Sequence, residues 1–176
     1  MGGEDENILS VELAEPLEDG GQASVCIAWT LTLAQVEHRT GIAEHSVNLG
    51  NFYPIACVYE DGAFRECEYY SDGDPFYSEC ADYCVTLETD ADYTVASSGQ
   101  ILSAEVKGSK KTYQMQLSDA RDFAIVLSGE YSVAQGEACG VQVMYYYYDD
   151  VEPQKKLDLL EESLTYFSQT FGDYMY

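Results

Sequence analysis

The feature that most constrains this chain is a two-residue alternation of apolar and smaller side chains. In residues 25–33 every odd position carries Val, Ile, Trp or Leu, and Cys, Ala and Thr stand between them. Successive side chains of a strand point to opposite faces, so this period predicts a β-strand with one buried face. Asp19-Gly20-Gly21 supplies turn residues before it, and we expect residues 8–13 to pair with it as a hairpin.

Further strand-like segments follow along the chain. Residues 55–59 and 64–70 flank Asp61-Gly62, a dipeptide typical of tight hairpins. The other predicted strands are residues 83–89, 93–97, 100–106, 112–117, 123–127 and 141–148. Short strands at such even spacing predict a mainly β fold, an antiparallel two-sheet sandwich or saddle-like domain over residues 8–150. Residues 1–7 are expected to be a tail.

The period changes near the end of the chain, where residues 151–176 are predicted to contain one amphipathic helix. Pro153 suits the first turn of a helix, and Gly172 suits its end. Apolar residues recur between them at intervals of three and four, which is the spacing of one helix face. The predicted packing face consists of Leu157, Leu160, Leu164, Phe167 and Phe171. We expect it to pack on the β-domain, on a missing domain or on a second copy.

The charge balance excludes some classes of partner. The chain has 8 Lys and Arg against 32 Asp and Glu, a formal net charge of −24. Nucleic acids are bound by neutralising phosphates with basic residues, so a nucleic-acid partner is not expected. An apolar run of the length that spans a bilayer is absent from the sequence. Because 46% of the residues are hydrophobic and 13% aromatic, the composition indicates a folded core rather than disorder.

Cysteine and histidine are the first candidates for metal binding or catalysis. Six cysteines are present, and we interpret them as small, half-buried thiols with one or two disulfides, with a structural metal as the alternative. Cys80 and Cys84 lie on a predicted strand, about 13 Å apart at the usual rise per residue, too far for a shared ion. His38 and His45 each follow a glutamate in a polar segment, and we interpret them as surface residues. No catalytic or metal-ligating residue is assigned.

Each cluster of acidic residues or tyrosines has two possible structural interpretations. Asp72, Asp74 and Glu79 could offer oxygen ligands to calcium, but they lack the full spacing of a calcium loop, so a turn is the preferred interpretation. Asp149, Asp150 and Glu152 fit an acidic helix start better than an ion site. Residues 145–148 are four consecutive tyrosines, and in a strand two rings would face each way, one pair packing and the other at the surface.

Several segments in order along the chain resemble one known family. They are the run from Asn51 to Gly62 (Asn-Phe-Tyr-Pro-Ile-Ala-Cys-Val-Tyr-Glu-Asp-Gly), the run from Gly73 to Leu87 beginning Gly-Asp-Pro-Phe-Tyr-Ser-Glu-Cys, and Asp92-Tyr-Thr-Val-Ala-Ser-Ser-Gly99. Ala120 to Ser128, Val141 to Tyr148 and the helix from Leu157 to Tyr176 continue the likeness. Together they resemble the amino-terminal β-domain, and the start of the catalytic domain, of bacterial gluzincin aminopeptidases of family M1.

The resemblance implies a zinc metallopeptidase whose metal lies outside this chain. In that family two His of a His-Glu-x-x-His helix and a further Glu hold the zinc, which activates water. That motif is absent from these 176 residues, so no cofactor is expected in this chain and zinc is expected in a missing catalytic domain. The stretch Val47-Asn-Leu-Gly-Asn-Phe-Tyr-Pro54 has no acid or Gln where the family holds a substrate amine. No substrate residue is therefore assigned.

The sequence thus predicts a non-catalytic amino-terminal domain of an M1-like metallopeptidase. Its expected partner is its own catalytic domain, whose cleft it would help to shape, with self-association through the carboxy-terminal helix as a further expectation. A stand-alone acidic binding module at the cell surface is the main alternative, and a shortened enzyme with an unrecognised site is the third. Acidity and six cysteines favour an extracellular or cell-surface location.

Overall fold

The structure, a computed structural model, describes residues 7–67 and 77–175. These residues divide into two compact units. The first contains the described parts of residues 1–32 and 53–80, and the second contains residues 33–52 and 81–175. Asp72 and Asp74 of the possible calcium turn, residues 68–70 of a predicted strand and the tail before residue 7 lie outside the described residues.

The described residues are mainly β, with antiparallel sheets and one carboxy-terminal helix, as the alternation predicts. The strands are β1 (Thr40–Ile42), β2 (Val47–Leu49), β3 (Tyr59–Glu60), β4 (Ala63–Phe64), β5 (Ala81–Asp90), β6 (Thr94–Ser97), β7 (Gln100–Lys107), β8 (Lys110–Ala120), β9 (Ile125–Ser128), β10 (Ser132–Ala138) and β11 (Val141–Tyr147). In the first unit, β3 and β4 form a short hairpin. In the second unit the sheet orders are β1-β2-β9-β6, β5-β8-β7 and β10-β11.

Two hairpins are closed by dipeptides with left-handed backbone conformation. Asp61 and Gly62 have φ values of 53° and 81° and join β3 to β4, which confirms the predicted Asp-Gly turn. Cys139 and Gly140, at 53° and 77°, join β10 to β11 in the same way. Positive φ at both central residues matches the twist of the flanking strands, and this requirement favours Gly at the second position.

The core of the second unit lies where the four-stranded and three-stranded sheets place their large side chains. Phe123 and Ile125 are almost fully buried, as are Val95 of β6 and Met115 of β8. Tyr113 is also buried, and its hydroxyl donates a hydrogen bond to the carbonyl of Tyr93. The alternating residues of β8 therefore bury one face of this strand, as its sequence period predicts.

The helix α1 spans Pro153–Phe171 and packs on the β10-β11 hairpin. Pro153 occupies its first turn, and the backbone turns away at Gly172, whose φ is 111°. The predictions that Pro153 lies in the first turn of the helix and that Gly172 ends it are thus confirmed. No helix among the described residues combines the length and apolarity that crossing a membrane requires.

Several parts of the strand assignment differ from the sequence prediction. The strands predicted at residues 55–59 and 64–70 are reduced, among the described residues, to the two-residue strands β3 and β4. β1 and β2 lie in residues 40–49, where no strand was predicted. The hairpin expected between residues 8–13 and 25–33 is wrong: in the described part of the chain, no strand begins before Thr40. Alternation specifies which face of a strand is apolar but not which strand it pairs with. Conversely, β10 went unpredicted because its sequence, SVAQGEA, contains a central glycine and few β-branched residues.

Candidate functional site

The most distinctive surface of the second unit is built on α1, which begins at a hydrogen-bonded carboxylate. One oxygen of Asp150 accepts hydrogen bonds from the Tyr145 hydroxyl at 2.8 Å and from the Lys156 ammonium at 2.7 Å. Its other oxygen accepts from the backbone N–H of Glu152 at 3.0 Å. Asp150 thus joins the end of β11 to the first turns of α1. Among the acidic residues predicted to begin the helix, Asp150 makes the hydrogen bonds that connect β11 to α1.

These contacts shift the protonation of the anchor. The pKa of Asp150 is lowered from 3.8 to about 2, first because Lys156 donates a hydrogen bond to the carboxylate, and then because the Glu152 N–H and Tyr145 hydroxyl do so. The pKa of Lys156 is raised, chiefly by its hydrogen bond to Asp150. Each ion favours the charged form of the other, so the anchor is fully charged at neutral pH.

Farther along, α1 approaches β10 closely at Gly136. A Cβ added at Gly136 would lie 1.7 Å from a carboxylate oxygen of Glu161 and 3.3 Å from a methyl carbon of Leu157. The same Glu161 oxygen accepts a hydrogen bond from the backbone N–H of Glu137 at 2.9 Å. The missing side chain of Gly136 therefore makes room for the Glu161 carboxylate, and Leu157, which is 1% exposed, packs beside it.

The rest of the predicted packing face is only partly covered. Leu164 is half-buried, whereas Leu160 is 42%, Phe167 55% and Phe171 80% exposed. The rings of Phe167 and Phe171 stack with centroids 6.0 Å apart. We call Leu160, Phe167 and Phe171 the distal helix face. Within the predicted packing face, Leu157 is therefore buried, whereas the distal helix face is exposed.

An acidic groove runs between α1 and the β10-β11 turn. Its lining includes Glu137, Cys139 and Asp158, with Glu161 and Glu162 on the same helix. Among the described residues, however, no group of three or more His, Cys, Asp or Glu side chains is arranged to hold a metal ion. The acidic side chains of this groove are instead used in part to bind backbone, as Glu161 does.

The two histidines lie near the β1-β2 connection. The His45 Nδ1 atom is 3.1 Å from a carboxylate oxygen of Glu130, and its Nε2 atom is 3.9 Å from one of Glu44. The centroid of its ring lies 4.3 Å from that of Tyr148. Glu130, 85 residues away in sequence, is therefore its nearer carboxylate, a partner that local reasoning missed. The backbone carbonyl of His38 accepts a hydrogen bond from Asn48. His38 is exposed, as the surface interpretation expects, whereas His45 is half-buried.

The cysteines and the tyrosine run are placed as follows. All six cysteines are free thiols, so the expected one or two disulfides are not formed. Cys80 and Cys84 are exposed; Cys80 directly precedes β5, and Cys84 lies within it. Tyr145 and Tyr147 stack on each other at 5.5 Å, whereas Tyr146 and Tyr148 both contact Tyr131. The tyrosines thus divide two and two, as strand alternation predicts. The expected difference in burial between the pairs is not found, because Tyr145, Tyr146 and Tyr147 are all half-buried and Tyr148 is exposed.

Comparison of the chain with protein-family models, curated proteins and solved structures found no match. The resemblance to M1 aminopeptidases therefore remains a prediction from the residues quoted for it.

Proposed function

We propose that this chain is the non-catalytic amino-terminal β-domain of an M1-like zinc metallopeptidase. In this proposal the distal helix face packs against the catalytic domain, and the β-domain covers one side of the substrate cleft. The zinc and the residues that activate water belong to the catalytic domain, where the resemblance places them. The observation that carries the proposal is the incomplete burial of the α1 stripe.

The helix is held firmly at one end and exposed at the other. Asp150 and Leu157 attach its first half to β10 and β11 through hydrogen bonds and a buried side chain. Its second half presents Phe167 and Phe171 to solvent. Exposed aromatic side chains on a fixed helix are costly to leave in water and are typical of interaction sites. Burial of the distal helix face therefore requires a surface outside the second unit.

The local composition also fits burial in an interface. Residues 163–172 contain no charged side chain, although the chain as a whole has 40 charged residues among 176, from 8 basic and 32 acidic residues. Tyr166 and Phe167 lie edge to face in this segment, with centroids 5.8 Å apart. The cores of protein interfaces are depleted in charge and enriched in aromatic residues. This half of α1 has that composition.

The test is a comparison of this chain with the longer polypeptide encoded by its gene. Phe167→Cys is labelled with a thiol reagent in both proteins, and Lys155→Cys, at an exposed position away from the distal helix face, is the matched control. Labelled peptides are identified by mass spectrometry because the native cysteines also react. We expect position 167 to react roughly 10-fold more slowly in the longer protein, and position 155 equally in both.

Activity measurements complete the test. The longer protein is expected to hydrolyse amino-terminal residues from peptides and to lose that activity on zinc chelation, whereas this chain alone is inactive. A reading frame that lacks His-Glu-x-x-His, or equal labelling at position 167 in both proteins, would contradict the proposal. The first result would favour the stand-alone acidic binding module.

A further inference from the structure

The β10-β11 hairpin of the second unit has an open edge along β11. The two strands form a sheet of their own, and within the described residues no other strand pairs with β11. The side chain of Gln142 is exposed, and that of Met144 is 42% exposed. The backbone of β11 is therefore accessible to a further strand.

The turn of the hairpin determines which backbone groups of β11 point away from β10. Cys139 and Gly140 both have positive φ, and in a two-residue turn of this type the flanking residues form a hydrogen-bonded pair, here Ala138 and Val141. Hydrogen-bonded and non-hydrogen-bonded pairs alternate along an antiparallel ladder. Every second residue of β11 after Val141 therefore directs its N–H and C=O outward. These residues are Gln142, Met144 and Tyr146.

β11 also lacks the features that block pairing at the other long edges. Among the described strands, those of at least seven residues at a sheet edge are β5, β7, β10 and β11. The first three each contain an acidic residue, and the ladders of β5 and β7 with β8 have register shifts. Charges, prolines and bulges protect sheet edges from pairing with one another. Val141–Tyr147 has no charge and no proline, and its register with β10 is continuous.

We propose that β11 pairs antiparallel with β11 of a second copy of this chain, so that two hairpins form one four-stranded sheet. The ladder is centred on Met144, which lies opposite its own equivalent. Gln142 then lies opposite Tyr146 of the second copy. These three residues are the ones whose backbone groups point outward, so the hydrogen bonds of the new ladder use groups that β10 leaves open.

The side chains of β11 fit a second copy of the same strand. In this register Val143 lies opposite Tyr145 of the second copy, and Val141 lies opposite Tyr147. A β-branched residue opposite an aromatic residue is a stabilising cross-strand pair. A ladder centred on Gln142 or Tyr146 instead would leave fewer strand residues paired. The register centred on Met144 therefore pairs the whole of β11 with itself.

The helix α1 leaves room for this pairing. It packs on both β10 and β11, and the two-fold axis through Met144 is perpendicular to the sheet, so both copies of α1 lie on the same face. Helices centred over the two hairpins are two strand spacings apart, about 10 Å. Packed helices are commonly about 8–10 Å apart, so the two copies of α1 do not collide.

The absence of charge from β11 sets the salt dependence of the dimer. Two chains of net charge −24 repel each other as whole molecules, but no like charges meet within the ladder. Salt screens the long-range repulsion, with a Debye length of about 10 Å at 0.1 M and about 3 Å at 1 M. The dimer is therefore expected to strengthen as salt is added. This inference is independent of the function proposed above, because it rests on the edge of β11 and not on the distal helix face.

A charge exchange at Met144 in the full 176-residue chain tests both the partner and the register. Met144→Glu places two carboxylates opposite each other, and we expect it to weaken dimerisation about 10-fold in sedimentation experiments at about 0.3 M salt. Gln135→Glu is the matched control, because it adds the same charge at an exposed residue opposite Met144 on β10, away from the second copy. Met144→Lys should also weaken the dimer, whereas a mixture of the Glu and Lys variants should form a heterodimer.

A disulfide tests the register by a different measurement. Directly opposed residues have Cα atoms about 5.5 Å apart, within disulfide range, so Met144→Cys should give a cross-link between two copies of position 144 under oxidised glutathione. Gln142→Cys is the control: its two copies lie roughly 13 Å apart along the ladder and should cross-link at least about 5-fold less. Mass spectrometry separates these products from those of the native cysteines, and a peptide linked to its own copy comes from two chains.

Three results would overturn the proposal. The first is an unmodified chain that stays monomeric at about 1 M salt, where the repulsion is screened. The second is an equal effect of Met144→Glu and Gln135→Glu on the dimer, without a heterodimer in the mixture of Glu and Lys variants. The third is equal cross-linking of positions 142 and 144 to their own copies.

Discussion

Leu157→Ala tests whether the contact between α1 and β10 stabilises the second unit. Leu157 is 1% exposed and lies over Gly136, so the substitution removes three buried carbons. At about 0.8 kcal/mol for each buried methylene the transfer cost is roughly 2.4 kcal/mol. A residual cavity adds to it, and the total loss in the free energy of unfolding is expected to be about 2.5–4 kcal/mol.

The matched control is Leu159→Ala, on the same helix but at a side chain that is 62% exposed. It makes the same chemical change and the same change in helix propensity, yet its expected cost is about 1 kcal/mol or less. Urea unfolding followed by far-UV circular dichroism gives both values, and amide hydrogen exchange in α1 shows whether the helix itself loosens. Equal losses for the two variants would refute the packing argument.

Three further substitutions test other contacts of the second unit. Gly136→Ala should displace the Glu161 carboxylate and speed hydrogen exchange at the Glu137 amide, whereas unchanged exchange would contradict the close approach. Asp150→Asn should flatten the acid dependence of stability: the contribution of Asp150 is present above about pH 4 and is lost as the pH falls through its folded pKa of about 2. Urea titrations at several pH values measure this difference, and parallel curves would refute it. Ser128→Ala removes a buried hydroxyl that donates to the His45 carbonyl and accepts from the Glu130 amide, and should cost about 1–3 kcal/mol in thermal or urea unfolding.

The relation between sequence and site is clearest on α1. Its period of three and four residues predicts a helix, which the structure confirms, and an apolar stripe along it. It does not say how far that stripe is covered. That depends on Gly136 and on the length of the β10-β11 hairpin, which reaches Leu157 but leaves Phe171 80% exposed. The covered fraction of the stripe depends on α1 and the β10-β11 hairpin together, and the sequence did not predict β10.

The β-domain shows the same division between local and non-local information. Alternation and the Asp61-Gly62 turn predict strands and a hairpin because side-chain direction and backbone φ are set within a few residues. Pairing partners are set by contacts distant in sequence, such as β2 with β9. This explains why the expected pairing of residues 25–33 with residues 8–13 is wrong although the alternating pattern is genuine.

The sequence by itself determined the antiparallel β class, the carboxy-terminal helix with its proline and glycine limits, and the absence of charge from residues 20–36 and 163–172. Only the tertiary structure decided that Asp150 anchors the helix, that Glu130 is the nearer carboxylate of His45, and which apolar residues stay in water. The physical reason is that backbone preference and side-chain period act over a few residues. Burial and hydrogen-bond partners depend instead on which distant segments the fold brings together.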